Sequence, residues 1–246
     1  KKKKIFGSSN FAGSIQSKVS ASTDAGFSIV SWTGNGSNGA TIGHGLGATP
    51  AIIINKRRDG TGDWLVGGST VDTVRGGANS LLLLNGTNAM DNNSEVYQTF
   101  SSTTFQVGVN AYANTNNATM ISYCFAEKKG FSKFGSYTGN GSTDGTFVYT
   151  GFKPAWVMIK RSSASGNNWV IYDNKRDVDN VVHHRLHADV SNAEVNTSSS
   201  TVNNMDFLSN GIKIRNSGGA WNNSGDTFIL CALQNRHLLQ VLQQYQ

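Results

Sequence analysis

Short apolar and β-branched runs, each closed by Gly, Asn or Asp, recur along the chain about every 8–12 residues, the signature of a β-sandwich. Phe27-Ser-Ile-Val-Ser-Trp32, Ile52-Ile-Ile54, Trp64-Leu-Val66, Phe105-Gln-Val-Gly-Val109 and Met120–Phe125 are such runs in the first half. Phe131–Tyr137, Trp156-Val-Met-Ile159, Trp169–Tyr172, Gly211–Arg215 and Thr227–Leu233 are their counterparts in the second. Helical periodicity is missing until Arg236–Tyr245, where Leu238, Leu239, Val241 and Leu242 line one side of a short helix. The pattern predicts an all-β chain.

The chain also repeats itself. Thr33-Gly-Asn-Gly-Ser37 returns letter for letter as Thr138-Gly-Asn-Gly-Ser142, each copy preceded by an aromatic, Trp32 or Tyr137. Pro50-Ala-Ile-Ile-Ile-Asn-Lys56 matches Pro154-Ala-Trp-Val-Met-Ile-Lys160, and Trp64 matches Trp169. Further on, Asn88-Ala89 aligns with Asn192-Ala193, Phe105 with Phe207, and Tyr123-Cys-Phe-Ala126 with Leu230-Cys-Ala-Leu233. The expectation is two tandem antiparallel β-sandwich modules, jelly-roll-like, over 27–127 and 131–233. An extended N-terminal arm (1–26) and a C-terminal tail (234–246) flank them. The arm, rich in Gly and Ser, is expected to order on a neighbouring subunit. The Asn-Gly step of each repeated pentapeptide is expected to form a tight hairpin turn.

Several of these segments resemble a domain that recurs in virion proteins of tailed phages, particularly marine and cyanobacterial ones. The matching elements are Tyr137-Thr-Gly-Asn-Gly-Ser142, Gly151-Phe-Lys-Pro154, Trp156–Lys160, Asp173-Asn-Lys-Arg176, Asn192-Ala-Glu194, Phe207-Leu-Ser-Asn-Gly-Ile212 and Asn223-Ser-Gly-Asp-Thr-Phe228. The first module opens differently, on Ile42-Gly-His-Gly-Leu-Gly47, and Asp72-Thr-Val-Arg75 is its nearest Asp-x-x-Arg. The resemblance implies a structural protein of the particle: a fibre, a baseplate accessory or a capsid decoration. Its partners would be other virion proteins and further copies of itself. It would be made in the host cytoplasm without a signal peptide, and the resemblance implies no catalytic residues.

Composition agrees with a neutral, turn-rich surface. Charged residues are 15 % of the chain, against about 25 % in an average globular domain. The net charge of +6 owes much to Lys1, Lys2, Lys3 and Lys4. Without that run, 17 basic residues (21 less 4) face 15 acidic ones, with no cationic stripe interleaved with aromatics. Nucleic-acid binding is therefore not expected, and no apolar run is long enough to span a bilayer. The lysine run reads as a solvated tail or a contact to an acidic partner, and the C-terminal apolar stripe as an assembly seam.

Candidate chemistry is sparse. Cys124 and Cys231, each in an apolar run, read as buried thiols. His44 stands alone between glycines, and His183, His184 and His187 flank an arginine in what looks like a strand, which disfavours a metal. Asp59-Gly-Thr-Gly-Asp63 lacks the later ligands of a calcium loop and reads as a turn. No carboxylate pair, nucleophile elbow or Cys–His arrangement points to an enzyme, and no cofactor or metal is expected. Trp64, Trp169, Trp32 and Tyr137 read either as core anchors or as a stacking surface for sugars. The second option makes the chain a carbohydrate-binding host-recognition module.

Overall fold

The computed structural model describes residues 7–198 and 204–235. Its regular structure is almost all antiparallel sheet, as the pattern of short runs predicts. In chain order the first strands are β1 (Ser8–Asn10), β2 (Ser17–Ser22), β3 (Phe27–Thr33), β4 (Ala40–Gly43), β5 (Ile52–Arg57) and β6 (Leu65–Gly67). After helix α1 (Ser69–Arg75) come β7 (Ser80–Leu83), β8 (Asp91–Asn92), β9 (Tyr97–Phe100), β10 (Thr104–Val107) and β11 (Thr119–Phe125). The second half holds β12 (Ser132–Thr138), β13 (Phe147–Tyr149), β14 (Trp156–Arg161), β15 (Val170–Asp173) and β16 (His184–His187). It closes with β17 (Val195–Asn196), β18 (Met205–Leu208), β19 (Gly211–Ile214) and β20 (Thr227–Leu233).

Two compact units result. Among described residues, the first takes in those up to Leu84 and Met90–Glu127, and the second takes in Asn85–Ala89 and those from Lys128 onward. The first packs an eight-stranded sheet, ordered β1-β2-β3-β11-β5-β6-β7-β8, on a three-stranded one, β4-β10-β9. The second packs a six-stranded sheet, β12-β20-β14-β15-β16-β17, on a three-stranded one, β13-β19-β18. Each core lies between its two sheets. Trp32, Val30, Ile53 and Met120 meet Ile42, Phe105 and Val107 in the first; Tyr137, Val157, Tyr172 and Phe228 meet Val148, Ile212 and Phe207 in the second.

Two expectations change. Ser8–Ser22 is not an arm waiting for a neighbour: β2 pairs along β3, and β1 along β2. Val19 and Ile15 enter the first core, so this stretch has enough apolar anchorage within its own unit. Asn85–Ala89 belongs to the second unit, where Thr87 O accepts the Gly166 N–H (2.9 Å) and Ala89 N–H donates to Ser165 Oγ (2.9 Å). Its likeness to Asn192-Ala193 is therefore not a structural equivalence. The terminal candidates Lys1, Lys2, Lys3, Lys4, Leu238, Leu239, Val241 and Leu242, and the C-terminal helix, lie outside the described residues.

The repeated pentapeptides form corners between sheets, not hairpin turns: β3 and β4 lie in different sheets, as do β12 and β13. Each corner is held by a fully buried asparagine that the sequence reading missed. Asn114 Nδ2 donates to Ser37 O (2.9 Å) and Gly108 O (3.1 Å), and Asn114 Oδ1 accepts the Asn35 N–H (3.0 Å). Asn222 repeats this with Ser142 O (2.8 Å), Asn216 O (2.9 Å) and the Asn140 N–H (3.0 Å). The flanking glycines are demanded by close approach, since a Cβ on Gly34 or Gly139 would stand 2.2 Å from the Thr115 or Asn223 carbonyl oxygen.

Register corrects the rest of the self-alignment. Thr33 pairs with Thr119, and Thr138 with Thr227. Cys124, opposite Ile53, thus corresponds to Ala232, opposite Val157, and Cys231 corresponds to Tyr123. A one-residue slip exchanges the faces of a strand. Cys124 accordingly lies in its core cluster, whereas Cys231 is buried on the other face of β20. Phe105 corresponds to Ile212, not Phe207, since these two face the equivalent Ile42 and Val148.

Candidate functional site

The two units differ on the outer faces of their small sheets. In the second, β13 pairs with β19 (Phe147↔Lys213, Val148↔Ile212, Tyr149↔Gly211), and β19 with β18 (Asp206↔Lys213). Val148, Ile212, Ile214, Met205 and Phe207 are buried in the core, so strand alternation turns Phe147, Tyr149, Lys213 and Asp206 outward. Phe147 and Tyr149 remain 44 % and 64 % exposed. The Phe147 ring lies across Gly211, where an added Cβ would come within 3.0 Å of ring carbons Cε2 and Cζ.

Beside the aromatics runs a row of charges. Lys213 Nζ sits 2.8 Å from Asp144 Oδ1, Arg215 Nη1 3.8 Å from the same oxygen, and Arg215 Nε 2.7 Å from Asp206 Oδ2. The Lys213 hydrogen bond and charge hold the Asp144 carboxyl below its ordinary range, so it is an ionised acceptor and not a proton donor. The face can stack an apolar surface and hydrogen-bond a polar rim. In the first unit the same positions are neutral: Thr41 and Gly43 on β4, then Thr104 and Gln106 on β10, with Gln106 bonded to Gly39 O and Thr99.

The aromatics singled out by the repeat do not form this surface. Trp32, Tyr137 and Trp169 are 4 %, 7 % and 1 % exposed, which removes them as a sugar-stacking platform. Trp32 Nε1 donates to Ser122 Oγ (3.1 Å), which donates to Asn55 Oδ1 (2.8 Å). Tyr137 donates to Trp221 O (2.6 Å) and stacks on Phe228. Trp64, at the position equivalent to Trp169, is half-buried and stacked on Tyr123 with centroids 6.5 Å apart. Of the repeated aromatics, Trp32 and Tyr137 serve the two cores; Phe147 and Tyr149 stand where the first unit has Thr41 and Gly43, so no repeat signal marked them.

The remaining candidates are structural. His44 is buried, its Nδ1 accepting the Leu46 N–H (3.2 Å) and its Nε2 donating to Ser101 O (3.2 Å); burial lowers its pKa. Thr150 holds the Phe152 N–H at the equivalent place. His184 pairs with Asp177 (2.7 Å), and among the described residues no three His, Cys, Asp or Glu side chains gather around one point. Asp59 accepts from Arg57 (2.8 Å) and the Thr119 N–H (2.7 Å), a turn tied to the sheet. Arg176 bonds both Asp173 (2.7 Å) and Glu194 (3.1 Å). Both thiols are pushed up to about 12 by burial.

The first unit also has an open groove of about 350 Å³ lined by Gln16, Lys18, Ser31, Thr33, Arg58 and Thr119, with Ser17 and Trp32 between them in the strands. Its two cations are exposed, and no buried polar atom without a partner points into it. The aromatic face is the stronger candidate.

A family model described as a domain of unknown function, DUF7483, matches residues 2–236, and the chain belongs to that family. The match runs through both units, so the internal repeat lies within a single family model. No curated protein and no solved structure matches the chain.

Proposed function

We propose that this DUF7483 member is a non-catalytic structural protein of a tailed-phage particle, acting through surface contacts with other virion proteins and with copies of itself. The observation that carries the contact role is the aromatic face of the second unit. It exposes Phe147 and Tyr149 on a small paired sheet, while the shared Trp32 and Tyr137 are buried in the cores and the shared Gly-Asn-Gly segments form the corners. Large exposed aromatics on a stable sheet are a usual sign of an interaction surface. The particle is suggested by the phage-like motifs of the second module, and the lysine run and apolar stripe at the chain ends are further contact candidates. Quantitative mass spectrometry of purified particles tests the reading. A fixed copy number per particle is expected; absence of the chain from particles overturns it.

The second reading, recognition of a host-surface glycan, draws on the same face. Phe147 and Tyr149 beside Asp144, Lys213, Arg215 and Asp206 resemble the mix of ring faces and polar rim that suits a sugar. A glycan array with the wild type and a Phe147→Ala/Tyr149→Ala variant decides. A defined glycan lost by the folded variant supports recognition; an array with no specific signal removes it.

A further inference from the structure

We infer that β13 is a self-complementary sheet edge that pairs antiparallel with β13 of a second copy, about a two-fold axis through Val148. The inference rests on the assembly reading and names its partner. The backbone supplies the first argument. Ile214 N–H donates to Thr146 O (3.1 Å) and Thr150 N–H to Asn210 O (3.0 Å), so Thr146, Val148 and Thr150 turn their backbone groups toward β19. Alternation then turns the N–H and C=O of Phe147 and Tyr149 away from it, toward the open edge. No described strand lies there, since β13 ends its sheet.

The first unit shows that this edge is one the fold covers. On β4, Thr41 occupies the place of Phe147: Thr41 O accepts the Ile15 N–H (3.0 Å), and Thr41 N–H donates to Ser14 Oγ (2.9 Å). Gly43, in the place of Tyr149, has its carbonyl bonded by Ser17 Oγ (2.9 Å). An N-terminal segment of another copy cannot take the same pose on β13. A Cβ on Gly43 would already stand 2.3 Å from Asn10 Oδ1 and 2.5 Å from Ala12 O, and β13 carries the whole Tyr149 ring at that place.

A second β13 fits instead. Centred on Val148, it sets Phe147 opposite Tyr149 of the second copy, and Tyr149 opposite its Phe147. All four outward N–H and C=O pairs then meet, and two cross-strand aromatic pairs form on the outer face. Charge favours the same arrangement: Asp144, with its side chain 81 % exposed, precedes the strand, and exposed Lys153 follows it, so antiparallel copies bring opposite charges together at both ends. A three-residue edge buries little area, so the pairing is weak in free solution, with Kd on the order of 0.1–1 mM, and becomes effective where copies are held close.

Analytical ultracentrifugation of the full chain up to about 1 mM tests this. A reversible dimer is expected. Phe147→Lys/Tyr149→Lys should leave a folded monomer. Tyr149→Pro, which removes an outward N–H without touching the bonds to β19, should weaken dimerisation about tenfold or more. Val148→Cys, facing its own copy, should give a disulfide-linked dimer on mild oxidation, whereas Tyr149→Cys alone should not. A wild type that stays monomeric at about 1 mM, or a dimer that survives both edge variants, overturns the pairing. A monomer still present in particles would overturn this pairing alone; a dimer absent from particles would overturn the assembly reading alone.

Discussion

Asn222 holds Asn140 from both sides: its Oδ1 accepts the Asn140 backbone N–H at 3.0 Å, and its Nδ2 donates to Asn140 Oδ1 at 2.7 Å. With the bonds to Ser142 O and Asn216 O, one buried carboxamide fastens the corner that carries the chain from the large sheet to the small one. Removing it leaves the buried Asn216 O without this donor, a loss of about 1–3 kcal/mol, and also breaks the part-buried bonds to Asn140 and Ser142. Asn222→Ala is therefore expected to lower the stability of the second unit by about 3 kcal/mol, read from urea unfolding. Asn222→Asp should be at least as damaging, because it faces three acceptor oxygens with a charge and no donor. Asn114 substitutions should do the same to the first unit.

His44 makes the first unit sensitive to acid. Its folded pKa lies below the ordinary 6.5, because burial penalises the charged ring. A depressed value means that the unfolded chain binds the proton more readily. The His44 contribution is thus fully present above pH 6.5 and is lost as pH falls below it toward the folded value. Melting curves from pH 8 to pH 5 should show the first unit losing stability over that window. His44→Thr, which installs the residue found at the equivalent Thr150, should remove this part of the slope.

Lys160 is a buried ammonium, fully shielded from solvent, that donates to Thr87 O (3.3 Å) and Arg161 O (2.9 Å). Burial pulls its pKa from 10.5 to about 8. The charged form is therefore disfavoured in the fold at neutral pH, and the site costs stability there. Lys160→Met is expected to be neutral or stabilising by about 1 kcal/mol at pH 7, with the gain shrinking as pH rises toward 10.5. Thermal denaturation at pH 7 and pH 10 checks the sign.

The two thiols should be inert in the native protein. Both are buried and pushed up to about 12, so almost no thiolate exists at pH 8. Neither should react with a thiol-selective disulfide reagent until the protein unfolds, when two equivalents should appear at once.

The sequence by itself determined ten of the twenty strands, the repeat and the equivalence of Trp64 with Trp169. These rest on local signals: period-2 patterning, turn residues, and letters repeated at nearly constant spacing. It could not place Cys231, because a shift from 107 to 108 positions between copies is invisible in a short apolar run yet exchanges the two faces of a strand. It missed Asn114 and Asn222, which bond loops 70 to 80 residues away in sequence and look like ordinary turn residues among many asparagines. It did not single out Phe147-Val-Tyr149 at all. What separates this strand from its counterpart is the covering of the edge, and that depends on where Ser8–Ser22 folds back. Only tertiary packing decides which sheet edges are closed, because closure is made by segments distant in the chain.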